Sequence, residues 1–208
     1  MNLIAHRGIW NKYIKDNSYE AIKNAIKSDK YIGVEFDVRT TLDKKIIIYH
    51  DALYNGTLVS KMFYKDMKDV YLLTDILSIN TNKILLIEIK DKNIDKTKLL
   101  KILNRYKRNY YIMSFNTKLI EELKVLNNKY KYGVLNYVLN SDSKYNLDFI
   151  CLLDIVATDK IIKTLEKRGI EVIIYGTINI NKSVKYIVDD KNLWIFHQIV
   201  LIFLIFSV

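Results

Sequence analysis

The sequence has no proline among its 208 residues, so it lacks the residue that most sharply ends helices and strands. Element boundaries must be read instead from capping residues and hydrophobic periodicity. A single cysteine, Cys151, excludes an internal disulfide and fits a reducing compartment. Its apolar, strand-like surroundings mark it as core. No glycine-rich phosphate loop of the kind that opens a doubly wound nucleotide-binding fold is present. The longest apolar stretch, LWIFHQIVLIFLIFSV over 193–208, is shorter than the roughly 20 residues a membrane-spanning helix needs. The first residues run straight into a strand, without the basic, apolar and small-residue succession of a signal peptide. Cytoplasm is the expected location.

Half of the residues are hydrophobic, and the length suits one domain with a sizeable core. The net charge of +10 comes from 33 Lys and Arg against 23 Asp and Glu. The lysines are scattered along helix faces rather than gathered in blocks. Such a surface suits anionic small molecules or membranes and gives no nucleic-acid signature, and it is equally the solvated face of a Lys-, Ile-, Asn- and Tyr-rich composition.

The stretch GVEFDVRTTLDKKIIIYHD, residues 33–51, reads as strand, turn, strand. Alternate strand residues share a face, so Glu35 and Asp37 point the same way. Burying two unpaired carboxylates is strongly unfavourable, so the pair faces solvent, binds cations or coordinates a metal. The second strand, from Ile46 to Tyr49, leads into His50 and Asp51. A third apolar strand, KILLIEIK, ends with Glu88 and Lys90 on one face, and a short first strand ends in His6-Arg7-Gly8.

Between these strands lie helical patterns. Asn17 with Glu20 suggests an N-cap for a first helix with Tyr19, Ile22, Ala25 and Ile26 on its apolar face. Further helices are expected over about 93–106, after Asn116, and from Thr158 to Arg168, the last closed by Gly169. Residues 181–188 read as one more short helix. About eight strands alternating with helices imply parallel pairing and a single-domain α/β (β/α)₈ barrel over 1–192, with its active site at the C-terminal ends of the strands. The run 193–208 is an atypical apolar tail, read as a last barrel strand with poorly covered continuation, a membrane-associating segment, or a reading-frame artefact.

Three carboxylates, Glu35, Asp37 and Glu88, at one barrel mouth would form a hard, all-oxygen site suited to Ca²⁺ or Mg²⁺. His6 and His50 can work as an acid/base pair, and Arg7 and Lys90 offer fixed positive charge to an anion. Together these parts describe phosphodiester cleavage. The bland readings are rim ion pairs for Glu35 and Asp37, a satisfied core histidine at position 6, a simple His50–Asp51 pair, and neutralisation of Glu88 by Lys90. Asn17, Asp51 and Phe115 are secondary candidates, for substrate contact or for structure.

In this order, HRG, DNS, GVEFDVRTT, IIIYHD, LLIEIK, SF and YGTIN resemble the glycerophosphodiester phosphodiesterases over residues 1 to about 180. The resemblance implies a barrel in which Glu35, Asp37 and Glu88 hold the metal, His6 and His50 are the acid/base pair, and Arg7 and Lys90 bind phosphate. It implies hydrolysis of a glycerophosphodiester to glycerol 3-phosphate and an alcohol, with attack by the neighbouring glycerol hydroxyl as one route, and a small-molecule partner that is a glycerophosphodiester or a lysophospholipid. Alternatives are a phospholipase D-like or phosphoinositide-type lipid phosphodiesterase, and a silent barrel that only binds phosphodiesters. The chain departs from the family in three ways. It has no large insertion between Asp51 and Glu88. Tyr175-Gly176 stands where the family often has tryptophan. The closing strand, commonly an apolar run ending in Thr-Asp, is expected at LWIFHQ.

Overall fold

Strands that read as apolar in the sequence alternate with amphipathic helices through most of the chain. The structure, a computed structural model, describes residues 2–136, 146–177, 180 and 183–189. Its elements are β1 (Leu3–Ala5), α1 (Tyr19–Lys27), β2 (Gly33–Thr40), β3 (Ile46–Ile48), β4 (Leu53–Tyr54), β5 (Thr57–Leu58), β6 (Tyr71–Leu72), α2 (Leu73–Leu77) and β7 (Ile84–Ile89). They continue with α3 (Lys96–Tyr106), β8 (Asn109–Ser114), α4 (Thr117–Leu126), β9 (Lys131–Asn136), β10 (Phe149–Leu153), α5 (Asp159–Lys167), β11 (Glu171–Tyr175) and β12 (Lys185–Val188).

Eight of the strands, β1, β2 and β7 to β12, pair in parallel, and β1 pairs with both β2 and β12. The sheet therefore closes on itself, and the expected (β/α)₈ barrel is present. Closure removes every exposed barrel edge. The interior is filled by Ile4, Leu86, Met113, Phe149, Cys151, Ile173 and Ile187. A larger layer, including Ile22, Phe36, Leu99, Ile120 and Leu165, lies between strands and helices. Each fully buried aliphatic side chain contributes about 1.5–3 kcal/mol. At the N-terminal end of the barrel, the Glu171 carboxylate accepts hydrogen bonds from Tyr111, Lys131 and Lys185, the last two also ion pairs.

Two strand readings are corrected. Residues 185–188 form β12 and not a helix, so the barrel is closed by Tyr186–Val188 followed by Asp189, upstream of the expected LWIFHQ. The β-branched and aromatic run Tyr-Ile-Val pairs with strands on both sides, and that tertiary pairing overrides a weak helical pattern. The run 193–208 lies outside the described residues. Second, β3 is no barrel strand. Strand β2 extends past the mouth, and β3 folds back antiparallel onto Val38–Thr40 and then pairs with β6. Residues Ile47, Val59, Met67 and Val70 form a separate small core under this excursion.

Helix starts follow side-chain caps. Asp95, Asn116 and Thr158 accept from the backbone N–H three residues on, which stabilises a helix start by about 1 kcal/mol each. The first helix is capped by Ser18 rather than Asn17. That one-residue shift frees the Asn17 side chain for another role. Among the described residues no helix is long and apolar enough to cross a membrane.

Candidate active site

Pairing register brings the acids together. In the β2–β7 ladder Asp37 stands opposite Glu88, and Glu35 stands one inward position below, opposite Leu86. All three carboxylates are buried, Glu35 and Asp37 at 1 % exposure and Glu88 at 7 %. One oxygen from each lies within 4.8 Å of the others. This is the geometry of a cation site of hard oxygen donors. One buried oxygen, Oε1 of Glu35, has no hydrogen-bond partner, and a buried carboxylate oxygen left bare is costly unless an ion or water meets it.

The turn after β1 supplies the next groups. Arg7 and Asn17 adopt left-handed backbone (φ 54° and 53°), which is strained for arginine and tolerable for asparagine. The conformation is held by Asn17 N–H donating to Arg7 O and by Arg7 N–H donating to Glu35 Oε2 (3.1 Å each). Gly8 (φ 87°) must be glycine, because a Cβ there would lie 2.4 Å from the Ala21 backbone. The Arg7 guanidinium donates to Asp16 at 3.0 Å, and its Nε is 3.3 Å from Asp37. Asn17 grips Asp37 twice: its Nδ2 donates to Oδ2 at 2.7 Å, and its Oδ1 accepts from the Asp37 N–H at 3.1 Å. Lys90 Nζ lies 2.7 Å from Glu88 and 3.4 Å from Asp37.

The histidines reach the mouth by different routes. His6 directly follows β1, with Nδ1 2.7 Å from Asp189 Oδ1 and Nε2 3.9 Å from Glu35. His50 comes back over the mouth from the antiparallel β3, so its expected position at a barrel strand end is corrected. The Tyr49 N–H donates to Asp37 O, and His50 Nδ1 is 2.8 Å from the exposed Asp51 carboxylate. Arg7, Asn17, His50, Asp51, Asp16 and Tyr49 line one cleft. A larger cavity of about 470 Å³ opens between the ends of β7 and β8, with Glu88, Lys90, Lys92 and Phe115 on its walls.

Charge is unevenly distributed here. Burial, then the Asp37 charge, push Glu35 up to about 8. Burial and Asp37 likewise raise Glu88 against the pull of Lys90. Asp37 is also opposed by burial, yet Lys90 and Arg7 outweigh it and hold its carboxyl below the usual range. Burial and Arg7 lower His50. For His6 burial acts downward but is overcome by Asp189 and Glu35, so its pKa rises.

All seven principal candidates thus meet at one mouth, joined by Asn17, with Phe115 on the adjoining cavity and Asp51 on the rim. Sequence reasoning missed Asp16 and Asp189. A signal for Asp189 existed: like Asp37 and Glu88, it follows a β-branched run. It was obscured by reading that run as helix.

Comparison with known proteins agrees with the resemblance read from the motifs. Residues 6–75 match the Glycerophosphoryl diester phosphodiesterase family. No curated protein matches by sequence. Among solved structures, a glycerophosphodiester phosphodiesterase from Parabacteroides distasonis superposes with a TM-score of 0.77 at 20% identity, covering 91% of this chain and 92% of its own. One from Thermotoga maritima gives 0.73 at 20% identity over 98% and 97%. A phosphodiesterase from Oleispira antarctica, in complex with the product sn-glycerol-3-phosphate, gives 0.75 at 14% identity over 91% and 92%. At these identities the structural likeness is one of fold.

Proposed function

We propose that the whole chain works as a glycerophosphodiester phosphodiesterase, a metal-dependent hydrolase releasing sn-glycerol 3-phosphate and an alcohol. The observation that carries this reading is the meeting of three buried carboxylates, two cationic side chains and two histidines at a single barrel mouth. The sequence match over the first third of the chain and the product held by a relative of the same fold support it.

The residues fit a divalent cation. Glu35, Asp37 and Glu88 would hold it, their donors are all oxygen, and Glu35 Oε1 has no other partner. Such donors suit Ca²⁺ or Mg²⁺ over softer metals. The cation would polarise a phosphoryl oxygen and stabilise charge developing there. Arg7 and Lys90, anchored by Asp16, Asp37 and Glu88, hold the phosphate in place. His6 and His50 divide the proton work: one imidazole takes the proton of the attacking hydroxyl, and the other delivers a proton to the leaving oxygen. Water as the attacker gives glycerol 3-phosphate directly, whereas attack by the substrate's own glycerol hydroxyl expels the alcohol and leaves a cyclic phosphate that water then opens to glycerol 3-phosphate.

The cavity of about 470 Å³ beside Phe115 leaves room for a substrate bulkier than a deacylated glycerophosphodiester, which favours comparing lysophospholipid with its deacylated glycerophosphodiester. The test is release of glycerol 3-phosphate from deacylated glycerophosphodiesters and of lysophosphatidic acid from lysophospholipids, with Mg²⁺ and Ca²⁺ in turn. Turnover that is lost in Glu35→Ala is expected. Absence of turnover with every cation, or full activity in Glu35→Ala, overturns the reading.

A further inference from the structure

His50 sits on a loop outside the barrel, and among the described residues its ring is tied only to the neighbouring Asp51, whose side chain is 71% exposed. An imidazole that moves protons needs firmer placement than an exposed carboxylate gives, because misplacement by about 1 Å can cost 10²-fold in rate. The backbone supplies it. Arg39, two residues past Asp37 on β2, donates from Nε to the His50 carbonyl at 2.9 Å. Its Nη1 donates to Asp91 Oδ1, also at 2.9 Å, and the other Asp91 oxygen accepts the Thr40 N–H at 2.5 Å. Asp91 immediately follows Lys90, whose own N–H donates to Val38 O. Arg39 and Asp91 are mostly buried, at 14% and 23% side-chain exposure.

We propose that Arg39 is a positioning residue for His50, and that Asp91 aims Arg39. The planar guanidinium can face a carbonyl and a carboxylate in different directions at once, which a lysine cannot reproduce. The Asp91 carboxylate binds the ends of β2 and β7 into one unit, so the loop carrying His50 is referenced to the same two strands that carry Glu35, Asp37, Glu88 and Lys90. The inference rests on the reading of His50 as an acid/base group.

Three measurements on the full chain test it. Arg39→Ala and Asp91→Asn should each lower kcat by about tenfold or more and change KM by less than about twofold, with the cation affinity measured by calorimetry unchanged. Adding Arg39→Ala to His50→Ala should cost nothing further, since a residue acting only through His50 has nothing left to position. The chain has only three histidines, so the imidazole ¹H–¹⁵N spectrum is assignable, and Arg39→Ala should shift and broaden the His50 signals while leaving those of His6 in place. A full additional loss in the double variant, or an undisturbed His50 signal, overturns the proposal. If Arg39→Ala does not fold, Asp91→Asn carries the same readings. Wild-type protein without turnover would defeat the functional reading alone, because the spectra still decide the positioning.

Discussion

Oδ1 of Asp189 lies 2.7 Å from Nδ1 of His6, so the residue that follows the last barrel strand orients the residue that follows the first. The contact directs the other ring nitrogen, Nε2, toward Glu35 and the mouth.

Asp189→Asn keeps the size of the side chain but removes its charge and replaces one acceptor oxygen by an N–H donor. General acid–base transfer contributes about 10²–10⁴-fold. The substitution is expected to lower kcat by roughly 10- to 100-fold while leaving the fold intact by circular dichroism. Wild-type kcat in this variant would remove His6 orientation from the account.

Cation binding should release a proton. Glu35 is pushed up to about 8 by burial and Asp37, so at neutral pH its carboxyl is largely protonated without a cation, and a bound ion requires the carboxylate. Titration calorimetry near pH 7 in buffers of differing ionisation enthalpy should report release of up to about one proton per ion. The release should fade as pH rises above about 8. Glu35→Gln should abolish it and weaken binding.

Asn17→Ala strips Asp37 of two hydrogen bonds and places alanine at φ 53°. A buried group left without its partner costs about 1–3 kcal/mol, and the left-handed backbone adds about 1–2. A loss of roughly 2–5 kcal/mol in urea unfolding is expected, together with weaker cation binding as Asp37 loses its fixed orientation. Unchanged stability would mean that Arg7 and Lys90 alone hold Asp37.

The opposite end of the barrel offers a control far from the mouth. Burial opposes the charge on Glu171, but Lys185 and Lys131 outweigh it and hold its pKa below the ordinary value. A lowered carboxyl contributes stability that is fully present above its unfolded pKa of about 4.3 and is lost as pH falls through the folded value. Glu171→Gln should therefore destabilise the protein by about 1–2 kcal/mol at neutral pH, and the difference from wild type should narrow below about pH 4. Thermal unfolding across that range checks it, with activity per folded molecule expected to stay at wild-type level.

Much of the barrel was legible because its strands are short apolar runs with the period of two that pleating imposes, and the helices between them carry side-chain caps at Asp95, Asn116 and Thr158. Glu35, Asp37 and Glu88 stood out for the same reason, as charges on inward positions of otherwise buried strands. Less legible were the segments whose conformation depends on partners. Nothing local distinguishes β3 as an antiparallel return from a barrel strand, since Ile46–Ile48 is apolar either way. Asn17 and Ser18 are both good caps, and packing of the preceding turn against Glu35 and Asp37 decided between them.

Sequence by itself determined the alternation of strands and helices, the carboxylates that share a strand face, and the order of motifs along the chain. These are properties of neighbouring residues and of fixed helix and strand periods. Tertiary structure alone decided which run closes the barrel, that Asp189 meets His6 across 183 positions, and that His50 arrives by a folded-back hairpin braced by Arg39 and Asp91. Those outcomes depend on which strands pair and in what register, a choice made by the burial and hydrogen bonding of the whole sheet that no local pattern encodes.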